Sequence, residues 1–137
     1  MTLALLVLVP AFAGLATFFV DSSRFALGIL VVTAALHLIV TGTLWIDVPS
    51  HHLGFLLQLD VTGLLFLSLT SLLFFAASLY TIPYLTDGTH DEQSAPHRFV
   101  PCLLWFLAAM TLVTVTQHLA VMWAAVEATT LASAPLV

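Results

Sequence analysis

The chain reads AVMWAAVEATTLASAP over residues 120–135, an apolar run that carries a single carboxylic acid, Glu127. If a helix begins near His118, Glu127 lies about nine residues in, which at ~1.5 Å per residue is roughly 13 Å from its start. That depth is close to the middle of a ~30 Å hydrocarbon layer. An acidic residue at the centre of a membrane helix costs roughly 2.5–3.5 kcal/mol to insert. We therefore expect Glu127 to face the protein interior, to pair with another group or to stay protonated.

Small residues accompany this acid. Four alanines recur every four residues and would let a neighbouring backbone approach closely: Ala120, Ala124, Ala128 and Ala132. Two roles for Glu127 stay open, a proton-carrying role and a packing role in which the protonated acid bonds to a neighbouring helix. A glutamine would pack as well without the cost of ionisation, which favours the proton-carrying role.

The composition is that of an integral membrane protein. Hydrophobic residues make up 61% of the 137 residues and charged residues 7%, which excludes an ordinary soluble domain. The basic residues are Arg24 and Arg98 alone, which excludes nucleic-acid binding and a polybasic hold on anionic lipid. The single cysteine, Cys102, excludes an internal disulfide and is expected to be a small core residue. The first apolar run follows no basic segment and has no convincing cleavage site, so we interpret it as a retained helix.

Five apolar runs are long enough to span a membrane: residues 3–20, 25–45, 61–82, 99–115 and 119–137. We therefore predict an all-α fold, a polytopic transmembrane bundle of about five helices that forms a single domain over residues 1–137. Only residues 116–118 separate the last two runs, so these helices are expected to be antiparallel neighbours.

Several residues mark the expected helix ends. Asp60 suits the N-cap of the third helix, because its carboxylate can accept from free backbone N–H groups. Pro83 is expected to stop the third helix, and Pro101 to fall in the first turn of the fourth. Arg24 and Arg98 are expected in the first and third loops. The positive-inside tendency then places both loops in the cytoplasm and the N-terminus outside, in a multi-pass protein of the inner (plasma) membrane.

Two loop segments contain metal-binding residue types without a metal-binding pattern. Residues 45–60 form a surface loop in which His51 and His52 are adjacent, so that their side chains diverge, and no further ligand has zinc spacing. Residues 86–98 combine Asp, Glu and His without a calcium-loop pattern. We expect no metal site and no cofactor, because a phosphate-binding glycine loop, a cysteine cluster and a Ser/His/Asp arrangement are also absent from the sequence.

His37 is the second ionisable residue expected at mid-membrane depth, about twelve residues into the second helix. It could join Glu127 in a proton path. A lone helical histidine is more often neutral and bonded to a neighbouring carbonyl, and we favour that packing role. A haem held by His37 and His118 is disfavoured, because one residue is expected at mid-bilayer and the other at an edge.

The run from Val121 to Ala134 resembles the fifth helix of the antiporter-like membrane subunits of respiratory complex I and of membrane-bound nickel–iron hydrogenases. It is most similar to the F subunit of hydrogenase-4. Trp123, Glu127 and the Ala-Thr-Thr-Leu that follows are the specific part of the match. Support extends back through Leu59-Asp60 and through LYTIPYL at residues 79–85, so the resemblance covers roughly residues 57–137. The first two helices match only in hydropathy.

The resemblance implies a non-redox subunit that moves protons across the membrane while partner subunits with iron–sulfur or nickel–iron centres carry electrons. It implies that Glu127 is a central ionisable residue of the proton path. It also implies direct contact with other membrane subunits of a multi-subunit complex and with the lipid bilayer. The family continues through many more helices and pairs this glutamate with a lysine on a later helix. This chain has no lysine and stops inside its fifth helix, so we expect a fragment, the ordered part of a larger subunit or one piece of a split subunit.

Two alternative functions remain open. A subunit of a multi-subunit cation/proton antiporter belongs to the same superfamily and has no electron-transfer partner. A small structural membrane protein would keep the helices and serve only assembly. The sequence ATTLASA at residues 128–134 favours the hydrogenase side of the superfamily.

Overall fold

The computed structural model describes residues 2–20, 22–46, 57, 59–86 and 95–136, and this part of the chain is all-helical. Its α-helices are α1 (Thr2–Thr17), α2 (Ser23–Thr43), α3 (Val61–Thr86), α4 (Ala95–Val115) and α5 (Leu119–Ser133). A 3₁₀ turn, η1 (Ala134–Leu136), continues α5. The prediction of an all-α fold with five helices is confirmed for the described residues.

Helix length separates the five helices into two groups. Within the described residues, three segments are long and apolar enough to cross a membrane: Arg24–Thr43, Val61–Pro83 and Leu119–Leu136. Thr2–Thr17 and Phe99–Val115 are apolar but shorter. The structure therefore provides three candidate membrane spans where the sequence predicts five.

Two prolines, Pro83 and Pro101, occupy other positions in their helices than the sequence predicts. α3 continues through Pro83 to Thr86, so the prediction that Pro83 stops it is wrong. Proline has no N–H to donate to the carbonyl of Leu79, so α3 continues for its last three residues without that hydrogen bond. Pro101 lies beyond the first turn of α4, because α4 begins at Ala95, before the predicted start. Pro96 takes the first-turn place instead, where the fixed φ of proline suits a helix start.

The two arginines also lie inside helices rather than in loops. Arg24 is in the first turn of α2 and Arg98 in the first turn of α4. Ser22, in an extended conformation, is the N-cap of α2, so the chain enters the helix one residue before Arg24. The Arg24 side chain is exposed. Both arginines still lie at helix N-termini, next to the first and third connections. The orientation predicted from the positive-inside tendency is therefore unchanged.

The start of α3 is fixed by a side-chain cap. The backbone N–H of Gly63 donates to Asp60 Oδ1 at 2.6 Å, which confirms the predicted N-cap. A Cβ atom on Gly63 would lie 2.8 Å from that oxygen and 3.1 Å from the carbonyl oxygen of Thr114 in α4. Glycine at this position therefore allows both the cap and the close approach of α4.

α4 is the central helix of the bundle. Among the described residues it packs against α1, α2, α3, α5 and η1, whereas α5 packs against α4 and η1 only. α1 comes especially close to α4 at Gly14, where an added Cβ would lie 2.5 Å from Cδ1 of Trp105. The indole N–H of Trp105 donates to the carbonyl oxygen of Ala11 at 3.2 Å and ties the two helices together.

Two apolar clusters form the core. The first joins α2, α3 and α4 through Ala26, Leu27, Leu30, Ala34, Phe74, Val100, Leu104 and Leu107. The second joins α1 to the other ends of these helices through Leu3, Leu6, Leu44, Leu59, Leu64, Leu67 and Val115. Between the two clusters, α2, α3 and α4 carry buried polar side chains, among them His37, Ser71 and Thr111.

Candidate functional site

His37 occupies the interval between the two apolar clusters. Its side chain is 4% exposed. The ring atom Nδ1 lies 2.8 Å from Oγ of Ser71 in α3, and Nε2 lies 3.0 Å from Oγ1 of Thr111 in α4. Thr41, one turn further along α2, places its Oγ1 3.2 Å from the Ser71 hydroxyl. We call these four buried residues, His37, Thr41, Ser71 and Thr111, the polar layer.

Each hydroxyl that meets the imidazole is also near a carbonyl of its own helix. Ser71 Oγ lies 2.8 Å from the carbonyl oxygen of Leu67, and Thr111 Oγ1 lies 2.7 Å from that of Leu107. Such bonds to the preceding turn are common for serine and threonine in apolar helices. The polar layer therefore satisfies its polar atoms inside the bundle, as burial requires.

The sequence-based expectation for His37 is corrected in one respect. His37 is buried as a packing role requires, but its partners are two side-chain hydroxyls and not a neighbouring carbonyl. Both ring nitrogens are engaged with α3 and α4, in an arrangement that links three helices through one side chain. Each ring nitrogen of His37 thus has its own hydroxyl as hydrogen-bonding partner, one on α3 and one on α4.

Glu127 lies in a very different environment. Its side chain is exposed on α5. Within the described residues it has neither a hydrogen-bonding partner nor an ion pair, so the expectation that it faces the interior or is paired is not met by this part of the chain. The reason is the position of α5, which touches only one other α-helix of the bundle, α4.

The alanine ladder of α5 is also largely uncovered. Ala120, Ala124 and Ala128 are exposed, and Ala132 alone is buried. α5 packs on α4 through Ala125 and Ala132, so its contact face only partly coincides with the ladder. An apolar cavity of about 520 Å³ remains between α1, α4 and α5. Its walls include Ala11, Cys102, Trp105, Ala108, Ala128 and Leu131.

The two ionisable residues singled out in the sequence are not brought together. His37 points into the contact of α2 with α3 and α4, whereas Glu127 is on the exposed side of α5. Among the described residues α2 and α5 do not pack against each other. A direct proton transfer between His37 and Glu127 is therefore not supported by this arrangement.

The described residues contain no group of three or more His, Cys, Asp or Glu side chains that could hold a metal ion. His51, His52 and the acidic part of the segment 86–98 lie outside the described residues.

Sequence reasoning missed Thr41, Ser71 and Thr111. A signal for them exists in their spacing: Ser71 falls between Leu67 and Phe74, and Thr111 between Leu107 and Val115, at three- or four-residue steps. Hydroxyl residues on the same face as core leucines are candidates for a buried polar layer. Recognising that face requires the packing of the helices, which the sequence alone does not supply.

Comparison with protein-family models, with curated proteins and with solved structures finds no match to this chain.

Proposed function

We propose that this chain is a proton-translocating membrane subunit, or the N-terminal part of one, in a hydrogenase-4-like or complex I-like redox-driven pump. Glu127 is its intramembrane proton-carrying residue. The proposal is supported by the resemblance of residues 121–134 to the fifth helix of that superfamily. It is also supported by the three segments that are long and apolar enough to cross a membrane.

The observation that carries the proposal is the exposed carboxyl group of Glu127 in an apolar span. Leu119–Leu136 is one of the candidate spans, and Glu127 is its ninth residue, halfway along. A carboxylic acid that faces lipid at that depth is unfavourable by roughly 2.5–3.5 kcal/mol. Contact with another helix, a cation or internal water removes that cost. The outer face of α5 is therefore expected to be covered in the working assembly, by other membrane helices of the complex.

Covering this face gives Glu127 the properties of a relay group. Burial disfavours the ionised carboxylate, whereas a cation on the covering helix favours it. A modest rearrangement of the two elements then changes the protonation state, which a proton carrier requires. The chain itself contributes the acid, and the partner subunits contribute the electron transfer that drives the change.

The test is Glu127→Gln in the intact complex, assayed as proton uptake by inverted membrane vesicles and normalised to the amount of assembled complex. Glutamine keeps the shape and hydrogen bonding but cannot release a proton, so pumping should fall about tenfold or more. Assembly should stay near the wild-type level. Glu127→Asp, one methylene shorter, should retain part of the activity and is the matched control. Wild-type pumping by the assembled Glu127→Gln complex would refute the proton-carrying role and leave packing as the better account.

The redox partners are tested separately. A hydrogenase-4-like or complex I-like assembly should co-purify with iron, acid-labile sulfide and, for the hydrogenase, nickel. A complex that pumps but contains none of these would belong to the cation/proton antiporter class instead.

We further propose a plasma-membrane location with the N-terminus outside. Ser22, at the start of α2, and Gln117, between α4 and α5, are both exposed and lie at opposite ends of these helices. In a Cys102→Ala background, an impermeant thiol reagent added from outside should label Gln117→Cys and not Ser22→Cys. The reverse pattern would invert the orientation.

A further inference from the structure

We propose that the polar layer is a second proton-exchange site, in which His37 carries the proton and the hydroxyls of Ser71 and Thr111 pass it in and out. This inference extends the proposed proton translocation and uses residues remote from Glu127. Its basis is the juxtaposition of one imidazole with hydroxyls from two other helices, at 2.8 and 3.0 Å. Thr41, 3.2 Å from Ser71, extends the chain of hydroxyls by one member.

The number of hydrogens in the polar layer determines which groups donate and which accept. Each hydroxyl has one hydrogen, and a neutral imidazole has one N–H and one accepting nitrogen. If Ser71 and Thr111 both donate to their helix carbonyls, at 2.8 and 2.7 Å, both ring nitrogens must donate to the hydroxyl oxygens. That pattern belongs to the protonated ring. When the ring is neutral, one hydroxyl turns its hydrogen from the carbonyl to the ring nitrogen.

The layer therefore accommodates both protonation states by rotating one hydroxyl. In either state every ring nitrogen has a partner, and the carbonyl that loses a hydroxyl keeps its own helix hydrogen bond. A buried polar group that lacked a partner in one state would strongly favour the other. Here neither state leaves a ring nitrogen unsatisfied, which is the property that an exchanging residue needs and a purely structural histidine does not.

A passage through the layer conserves protons and breaks only O–H and N–H bonds. A hydronium ion gives a proton to Ser71 Oγ, and the original Ser71 hydrogen moves to Nδ1, which leaves water and an imidazolium. The hydrogen on Nε2 then moves to Thr111 Oγ1, and the original Thr111 hydrogen moves to a second water. His37 ends neutral with its hydrogen on Nδ1. The first tautomer is restored when Nδ1 returns its hydrogen through Ser71 and Nε2 regains one through Thr111.

The surroundings direct exchange through the hydroxyls. On the α1 side His37 borders an apolar cavity of about 230 Å³, lined by Leu5, Leu6, Val9 and Pro10 among others. Among the described side chains, the hydrogen bonds of the ring do not involve this side. The polar contacts of His37 lie on the α3 and α4 sides instead.

Among the described side chains, the polar contacts of His37 are hydroxyls and not charged groups. α1 carries no titratable residue. Among the described side chains, the titratable residue of α3 is Tyr80, exposed and nine positions from Ser71, and that of α4 is Cys102, nine positions from Thr111. Tyr84, His97 and Arg98 lie outside the described side chains. Arg24 lies at the far end of α2. The polar groups in contact with the ring are therefore the two hydroxyls, and removing either should have a measurable effect on its proton exchange.

The first test measures deuterium exchange at the imidazole N–H of His37. The full chain, labelled with ¹⁵N-histidine and held in lipid nanodiscs, is transferred to D₂O, and the His37 signal is identified by its loss in His37→Gln. Ser71→Ala and Thr111→Val should each slow exchange by about tenfold, since each removes one end of the proton route. Ser71→Thr and Thr111→Ser keep the hydroxyls and should exchange at close to the wild-type rate.

Ser78→Ala is the matched control. Ser78 is as buried as Ser71, lies on the same helix and donates only to its own helix carbonyl, that of Phe75, at 2.7 Å. Its replacement should leave His37 exchange unchanged. Equal exchange in Ser71→Ala, Thr111→Val and Ser78→Ala would overturn the proposal, as would a His37 ring that does not exchange in the wild type.

The second test compares pumping by the assembled complex with His37→Gln and with Glu127→Gln. A loss in His37→Gln supports the proposal, whatever Glu127→Gln does. A loss in Glu127→Gln with wild-type pumping in His37→Gln overturns this inference and leaves the proposed function intact. Wild-type pumping in both variants overturns both.

Discussion

The interior around His37 and the outer face around Glu127 differ in one respect, whether the chain supplies its own partners. His37 is buried and meets hydroxyls from two other helices. Glu127 is exposed on the helix that has the fewest neighbours in the described part of the chain. Both residues are ionisable and both lie in apolar helices.

We call the region around His37 finished, because its buried polar groups have partners within the chain. We call the region around Glu127 unfinished, because the carboxyl group has no partner among the described residues. α2, α3 and α4, with α1 against them, form a packed unit with a satisfied polar layer. α5 contributes a carboxyl group, an exposed alanine ladder and one wall of an open apolar cavity. The first region should therefore respond to mutation in the isolated chain, and the second chiefly in the multi-subunit complex that we propose.

The largest expected loss of stability comes from Leu104→Ala in the finished region. Leu104 is fully buried in the first apolar cluster, and removing its side chain should leave a cavity that destabilises the chain by about 2–5 kcal/mol. Leu131, on α5, is 74% exposed, so Leu131→Ala should change stability by under about 0.5 kcal/mol. Thermal unfolding of the purified chain in detergent compares the two. Equal losses would contradict the distinction between the regions.

A smaller loss is expected from Gly14→Ala, with its own control in the same bundle. The new methyl group would lie 2.5 Å from Trp105 Cδ1 and 3.2 Å from the carbonyl oxygen of Pro101, so α1 and α4 must separate or Trp105 must move. Overpacking of this kind costs about 1–3 kcal/mol. A Cβ on Gly28 of α2 meets no atom within 4 Å.

The control should change stability in the opposite direction. Gly28→Ala improves helix propensity by up to about 1 kcal/mol without a clash, so its unfolding midpoint should rise slightly while that of Gly14→Ala falls. Both variants are measured in the same detergent unfolding assay. A Gly14→Ala protein as stable as the wild type would show that the α1–α4 contact gives way easily and would weaken the description of a finished region.

The sequence predicts the helices well and their inward faces poorly. Long apolar runs identify all five helices, and Asp60 correctly marks a helix start through its capping chemistry. The helices are apolar around most of their circumference, however, so periodicity does not indicate which side faces the core. The spacing of Ser71 and Thr111 from core residues therefore becomes informative only when the inward face of each helix is known. Their role depends on which side chains of neighbouring helices meet them.

Glu127 shows the opposite limit of sequence reasoning. Its chemistry is evident from the sequence, because an acid in an apolar helix is rare and costly. Its partner is not, because α5 turns that face away from the rest of the described chain. Local composition thus identifies the residue, and the described part of the chain does not supply its partner.

The single cysteine of the chain lines the cavity between α1, α4 and α5. The Cys102 thiol is buried, so a charged maleimide should react slowly, whereas a small lipophilic one can enter through the opening of the apolar cavity. Anything that fills the cavity shields the sulfur from both reagents. Cys102 is thus a built-in footprinting probe, whose modification rate reports whether the space beside α5 is empty or occupied.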